Sequence, residues 1–136
     1  MPVQYKKSRG FGEIDDNYTT GTLIDNTALT ITITVPSGEI WLLYHGNVVN
    51  GDDVTRAITV WIENESNKKI LYLTDTTNIA ATGNMNYPNG NGGLHSPLNM
   101  PIPLKAGWKI KILYAAGGTS SGGTAEVTAI VEKFKV

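Results

Sequence analysis

A chain of 136 residues, of which 40% are hydrophobic and 17% charged, is long enough for one hydrophobic core and shows no sign of a second domain. The 11 basic and 12 acidic residues leave a formal net charge of −1, which excludes strong global attraction to nucleic acid or to an anionic membrane. The lack of cysteine excludes disulfides, thiolate metal sites and cysteine nucleophiles. Without a signal-peptide pattern or a long apolar run, we expect synthesis in a soluble compartment.

Residues 1–13 predict an extended N-terminal arm, because MPVQYKKSRGFG shows neither a helical nor a strand period. Basic residues precede the first acid, Glu13, and aromatic and Arg side chains are enriched in buried interface centres. A loose terminus without a role is the alternative, since chain ends are often poorly ordered. The functional hypothesis makes the arm a protein contact through Tyr5, Lys6, Lys7, Arg9 and Phe11.

Alternation of aliphatic residues with threonine from Leu29 to Val35 predicts a half-buried strand. A Pro-Ser-Gly turn follows, and a bulge or bend is expected where Gly46 interrupts the next extended segment. Residues 54–65 and 68–74 predict paired neighbouring strands. The other predicted strands cover residues 39–49, 108–115 and 124–135.

Residues 75–99 are rich in Asn, Gly, Thr and Pro and predict a long loop, with at least one irregular strand around residues 80–87. About seven or eight short strands and no helical period are typical of sandwiches and barrels. The sequence therefore predicts an all-β fold, a single antiparallel β-sandwich of the jelly-roll kind over residues 14–136.

Catalytic motifs are missing from the sequence. His45 and His95 lack metal-ligand spacing, and neither a GxSxG nor a phosphate-binding GxxxxGK[ST] segment occurs. The acidic pairs at residues 15–16 and 52–53 are interpreted as solvated loop residues. We expect no enzymatic activity, no catalytic residues, no cofactor and no metal.

Three tryptophans, at positions 41, 61 and 108, lie within strand patterns, which favours core or inter-subunit packing over sugar stacking. Trp61 is the best candidate for exposure, because it shares a strand face with Thr59 and Glu63. This leaves open a carbohydrate-binding or receptor-binding module.

From Val35 onward the order of features resembles that of a family of tailed-bacteriophage virion proteins, small jelly rolls associated with the capsid as decoration or head-fibre components. The resemblance rests on VPSGEIW at 35–41, on Arg56 leading into an aliphatic strand, and on MPIPLKAGWKIKI at 100–112. It covers about three quarters of the chain, and the specificity comes from the order and spacing of these weak motifs.

The resemblance implies a non-enzymatic virion structural protein, a capsid decoration or cement protein that binds and stabilises the major capsid protein shell. Its expected partners are the major capsid protein and copies of itself as a homotrimer, without nucleic acid or membrane. The expected location is the capsid surface after synthesis in the host cytoplasm. The alternative is a carbohydrate- or receptor-binding β-sandwich module of a phage fibre or tail, with a glycan as partner.

Overall fold

The computed structural model describes residues 12–89 and 101–136, in which all the regular secondary structure is β-strand. The ten strands of this part of the chain are β1 (Glu13–Leu23), β2 (Leu29–Thr34), β3 (Glu39–Asn50), β4 (Arg56–Glu63), β5 (Lys69–Tyr72), β6 (Thr77–Ile79), β7 (Asn84–Tyr87), β8 (Ile102–Leu104), β9 (Lys109–Tyr114) and β10 (Gly123–Lys135).

The strands form two antiparallel sheets. The first has the order β1-β10-β3-β7, and β8 pairs with the other end of β3. The second has the order β2-β9-β4-β5, and β6 pairs with the other end of β4. Each sheet is therefore four strands wide, and one of its edges consists of two short strands in line: β7 and β8 in the first sheet, β5 and β6 in the second. The first strand pairs with the last and the second with the ninth, which is the arrangement of a jelly roll.

The predicted sandwich is confirmed, but its strand count is higher than the predicted seven or eight. Residues 75–89 contain two short strands, β6 and β7, and β7 confirms the strand predicted around residues 80–87. The prediction that residues 54–65 and 68–74 hold neighbouring strands is confirmed by the pairing of β4 with β5.

The core lies between the two sheets, and its side chains follow the predicted alternation. On β9, Ile110, Ile112 and Tyr114 are fully buried, while Lys109 and Lys111 between them are half-buried on the outer side. The inward row of β10 is likewise fully buried and consists of Ala125, Val127, Ala129 and Val131. Burial of each large aliphatic side chain contributes roughly 1.5 to 3 kcal/mol to stability.

Sequence analysis did not predict β1 as a strand because its inward positions are mostly polar. Asp15, Asn17 and Thr19 face the same side as the buried residues of β10, and Gly21 packs against β2 side chains. Backbone pairing over the full length of β1 holds it in place, from Glu13 opposite Lys133 to Leu23 opposite Gly123. One ion pair reinforces the register: Lys133 Nζ lies 2.7 Å from Asp15 Oδ2.

A β-bulge in β3 lies two residues before Gly46, close to the predicted position. His45 pairs with Ile130 and Leu43 pairs with Val131, so Tyr44 is the extra residue. Beyond the bulge, Gly46 faces the core. Only glycine fits at this position, because the Tyr87 ring occupies the space of a side chain: a Cβ on Gly46 would lie 2.0 Å from Tyr87 Cζ. The Tyr87 hydroxyl donates a hydrogen bond to the Thr128 carbonyl over 2.7 Å.

Substitution of Gly46 by Ala is expected to lower the free energy of unfolding by about 3 kcal/mol, at the upper end of ordinary overpacking costs, because the new Cβ also meets the Thr128 carbonyl oxygen at 2.3 Å. Urea unfolding followed by tryptophan fluorescence measures this loss. The exposed strand position Thr22 provides a control, since Thr22→Ala should change stability by no more than about 0.5 kcal/mol. Equal stability of both variants would show that Tyr87 can move away.

Arg56 is a fully buried cation that joins several loops at one end of the sandwich. Its Nε donates to Asp52 Oδ2 over 2.8 Å, and both side chains are inaccessible to solvent. The other guanidinium nitrogens donate to the backbone carbonyls of Ile24, Thr27 and Ala115. These four partners come from the β1–β2 turn, the β3–β4 loop and the end of β9.

Asn50 organises the neighbouring backbone in the same region. Its Nδ2 donates to the carbonyls of Val54, Ile79 and Ala80, and its Oδ1 accepts from the backbone N–H of Asp52. The prediction that residues 52 and 53 are both solvated is therefore wrong for Asp52, which is buried, while Asp53 is exposed. Asp52 differs because Arg56, four residues later, points back at it.

Burial alone would raise the pKa of Asp52, but hydrogen bonds from Arg56 and Asp53 favour the carboxylate, and the net pKa lies below the ordinary 3.8. Between these two pKa values the unfolded chain binds more protons than the folded chain. The stabilisation by Asp52 is therefore present above the unfolded pKa and is lost as the pH falls through the folded pKa.

Replacement of Asp52 by Asn leaves the Arg56 charge buried without a counter-ion and is expected to cost roughly 3 to 5 kcal/mol of unfolding free energy at neutral pH. Urea unfolding between pH 7 and pH 2 should show that this difference shrinks below about pH 4. Asp53→Asn is the matched control and should follow the unmodified protein within about 0.5 kcal/mol. If Asp52→Asn does not fold, the pair variant Asp52→Asn with Arg56→Met should recover much of the loss. A constant difference at every pH would contradict the assigned pKa.

Candidate interaction surfaces

The outward side of the first sheet is acidic, and we name it the acidic face. Asp16, Glu126 and Glu132 lie on it, on β1 and β10, where strand register places them on the side opposite the core. The described residues of this face include no Lys or Arg, because Lys133 points inward over the Trp41 ring at 4.8 Å. His45 also lies here and is exposed.

Large apolar and aromatic side chains are exposed on the acidic face. Ile14 is 62% exposed, Tyr18 is 57% exposed, and Tyr44 at the bulge is 37% exposed. Leu42 lies beside Glu132, and Ile130 lies between Asp16 and His45; both are half-buried on the same face. Large apolar side chains exposed together on one face are a feature of interaction surfaces.

Carboxylates hold the two tyrosines of this face in place. The hydroxyl of Tyr18 donates to Glu126, and the hydroxyl of Tyr44 donates to Glu132 Oε1 over 2.7 Å. The other oxygen of Glu132 accepts from the backbone N–H of Gly12 over 3.1 Å. These hydrogen bonds stabilise the protonated phenols, so the pKa values of Tyr18 and Tyr44 lie above the ordinary 10.0.

The β7 edge of the acidic face carries an amide cluster. Asn47 Nδ2 donates to Asn84 Oδ1 over 3.1 Å and to Asn86 Oδ1 over 2.9 Å. Strand register places Thr128 and Tyr18 in the same row as Asn47. The amides therefore lie across the sheet from Tyr18 and Glu126, on the side of the face that is formed by β3 and β7.

The outward side of the second sheet is basic, and we name it the basic face. Lys69, Lys109 and Lys111 lie on it, and the threonines of β2 line its edge. Lys109 Nζ donates to Asn67 Oδ1 over 2.8 Å. Strand register places one acid on the described part of this face, Glu63, and its side chain is buried.

Trp61 on the basic face is buried, contrary to the exposure predicted from its strand neighbours. It is 8% exposed because Lys69 Nζ lies 4.5 Å from its ring centroid and the Tyr72 ring lies beside it. The indole Nε1 donates to Glu63 Oε2 over 2.7 Å. The alternation of residues along β4 correctly predicted that Trp61 faces away from the core. It could not show that Lys69 and Tyr72 of the neighbouring strand β5 cover the ring.

The predicted contact residues Tyr5, Lys6, Lys7, Arg9 and Phe11, together with His95, lie outside the described residues. The described chain begins at Gly12, whose backbone meets Glu132 on the acidic face. Sequence reasoning missed this face because Asp16 lies on the first strand and Glu126 and Glu132 lie on the last. The available signal was that each acid of the last strand directly follows an inward aliphatic residue, Ala125 or Val131.

Within residues 12–89 and 101–136 no three His, Asp or Glu side chains gather as a metal site would require. The same part of the chain contains no helix of the length and apolar character needed to cross a membrane.

The fold defines the chain as a jelly-roll domain, and comparison with known proteins agrees. No protein-family model and no curated protein matches the sequence. Among solved structures, a chain from the cyanophage Pam1 capsid asymmetric unit matches with a TM-score of 0.53 and 12% identity, over 90% of this chain and 86% of that one.

Two archaeal virus structures give similar matches. A chain from the Sulfolobus turreted icosahedral virus matches with a TM-score of 0.52 and 12% identity over 91% of this chain. A chain from a study of the triple jelly roll fold and turret assembly in an archaeal virus matches with a TM-score of 0.53 and 13% identity over 92%. This chain spans 30% of each of those two. At such identities the likeness defines the fold.

Removal of the Glu132 charge by Glu132→Gln is expected to bring the pKa of Tyr44 down toward 10.0, because the anionic acceptor is lost. Titration of ¹³C-labelled tyrosine rings by NMR follows each phenol separately. Tyr18 is the internal control, since its acceptor is Glu126 and its pKa should not move. Equal shifts of both tyrosines would show a general field effect instead of the hydrogen bond.

Proposed function

We propose that the chain is a non-enzymatic virion structural protein, a capsid decoration or cement protein that binds and stabilises the shell of the major capsid protein. The observation that carries the proposal is the topology: the described chain is one jelly roll, and the three solved structures compared above, with TM-scores of 0.52 and 0.53, are viral. The cyanophage capsid chain is also matched over most of its own length.

The surface supports a role in protein contacts. Ile14, Tyr18 and Tyr44 expose aromatic and aliphatic area on a rigid sheet, where a partner can bury it without ordering a loop. Tyr is also enriched in the buried centres of protein interfaces. In this proposal the partners are the major capsid protein and copies of the chain itself as a homotrimer, and the location is the capsid surface.

The N-terminal arm is the proposed grip on the shell, through Tyr5, Lys6, Lys7, Arg9 and Phe11. An arm with three basic and two aromatic residues can order itself along a neighbouring coat subunit, at an entropic cost set by its length. It would leave the sandwich at Gly12, beside exposed Ile14. The arm and the part of the acidic face around Ile14 would then form one continuous contact.

The glycan-binding alternative predicts that Trp61 or Tyr87 is exposed to a sugar, and neither residue supports it. Trp61 is covered by Lys69 and Tyr72, and Tyr87 is fully buried against Gly46. Neither ring offers a free face for a sugar.

The full chain is expected to bind capsids stripped of their accessory proteins and to raise the temperature at which the shells break. Charge reversal by Lys6→Glu, Lys7→Glu and Arg9→Glu should weaken this binding at least roughly tenfold, which corresponds to about 1.4 kcal/mol. Cosedimentation of labelled protein with capsids measures both affinity and copy number.

The matched control reverses three exposed charges elsewhere, Lys68→Glu, Lys105→Glu and Lys135→Glu, and should bind like the unmodified chain. If the unmodified chain does not cosediment with capsids, the decoration role is wrong. If the two triple variants lose equal affinity, net charge and not the arm is responsible.

A further inference from the structure

The two outer faces of the sandwich carry opposite charge. Asp16, Glu126 and Glu132 lie outward on the first sheet, while Lys69, Lys109 and Lys111 lie outward on the second. Because the sheets pack by their inner sides, these faces point in opposite directions. The formal net charge is only −1, but negative and positive charges lie on opposite outer faces of the sandwich.

We propose that the acidic face of one copy docks onto the basic face of a second copy. Two acidic faces, or two basic faces, would place like charges against each other, which disfavours a two-fold contact through identical patches. The acid-to-base contact pairs three carboxylates with three ammonium groups. It uses a different surface on each partner, which makes it a heterologous interface.

The uncharged side chains of the two faces fit the same contact. The acidic face offers Ile14, Tyr18 and Tyr44, exposed between its carboxylates. The basic face offers exposed Tyr72 and half-buried Leu113 between its lysines. Apolar area on both sides would give affinity, and the charges would set orientation and exclude the wrong pairing.

Asp16 and Lys111 are the charges most available for such a contact. Within the described residues neither forms an ion pair. Glu126 and Glu132 each keep a tyrosine partner, and Lys69 lies over Trp61. Asp16 and Lys111 can therefore enter an intermolecular ion pair without breaking one in the monomer. Glu126, Glu132 and Lys69 instead hold neighbouring aromatic side chains in place.

A heterologous contact either closes into a ring or continues as an open stack. Because the two faces point in opposite directions, repetition of this contact favours an open stack, so the homotrimer of the proposed function requires a different surface. The face-to-face contact itself is tested without capsids, so that its failure leaves the capsid-binding result standing and the reverse also holds.

The test measures solution mass against concentration by light scattering at low salt, for Asp16→Lys and Lys111→Glu in the full chain. Each variant should weaken self-association at least roughly tenfold, and salt should weaken it in the unmodified chain. Glu65→Lys and Lys105→Glu reverse exposed charges in turns outside both faces and should associate normally. Circular dichroism and thermal unfolding establish that every variant folds.

Mixing the two variants gives the decisive measurement. Asp16→Lys retains an intact basic face and Lys111→Glu retains an intact acidic face, so the mixture should recover the association that each variant loses on its own. A mixture that remains monomeric, or an unmodified chain that is monomeric at every concentration, overturns the proposal. Self-association that is lost in the arm variant Lys6→Glu, Lys7→Glu, Arg9→Glu but kept in both face variants makes the arm the contact, and equally overturns it.

Discussion

The buried ion pair between Arg56 and Asp52 imposes a constraint on the whole loop end of the sandwich. A guanidinium without solvent must have each of its donors occupied, and here they are occupied by Asp52 and by three backbone carbonyls from other segments. The β1–β2 turn, the β3–β4 loop and the end of β9 must therefore adopt positions that satisfy one side chain. Those segments connect the two sheets, so the arrangement also fixes how one sheet sits over the other.

The acidic face depends on this frame and on one irregularity in β3. The bulge at Tyr44 shifts the inward register, so that Leu43 lies inward before the bulge and Gly46 after it. Because of this shift, Tyr44 and His45 are both exposed in succession. A regular strand would bury one of the two. The bulge thus gives the surface an aromatic side chain within reach of Glu132.

Much of the fold could be predicted from sequence because the inward rows are aliphatic. Strands β2, β4, β9 and β10 all alternate clearly, and their buried residues match the predicted rows. Strand β1 could not be predicted in this way, since polar Asp15, Asn17 and Thr19 occupy its inward positions and its partner strand begins about a hundred residues later. The short edge strands β6 and β8, of three residues each, are too short to show a period.

The surfaces were harder to predict than the core. The burial of Trp61 depends on Lys69, a residue of the neighbouring strand, and the burial of Asp52 depends on the direction of Arg56. Both are contacts between side chains, which composition and periodicity do not encode. The same holds for the polarity of the two faces, since each face collects charges from strands that are distant in sequence.

The position of β10 in the first sheet has a consequence for biosynthesis. It lies between β1 and β3 and is translated after every other strand, and Glu13 pairs with Lys133 across 120 residues. A nascent chain on the ribosome consequently holds β1 without its hydrogen-bonding partner until translation has passed residue 135. Folds dominated by such non-local pairing form slowly, in about milliseconds to seconds, because the chain loses loop-closure entropy before the distant contacts can stabilise it. During that interval the unpaired edge of β1 can pair with strands of other chains. Misassembly of this domain is therefore expected to increase when it is expressed rapidly and at high concentration.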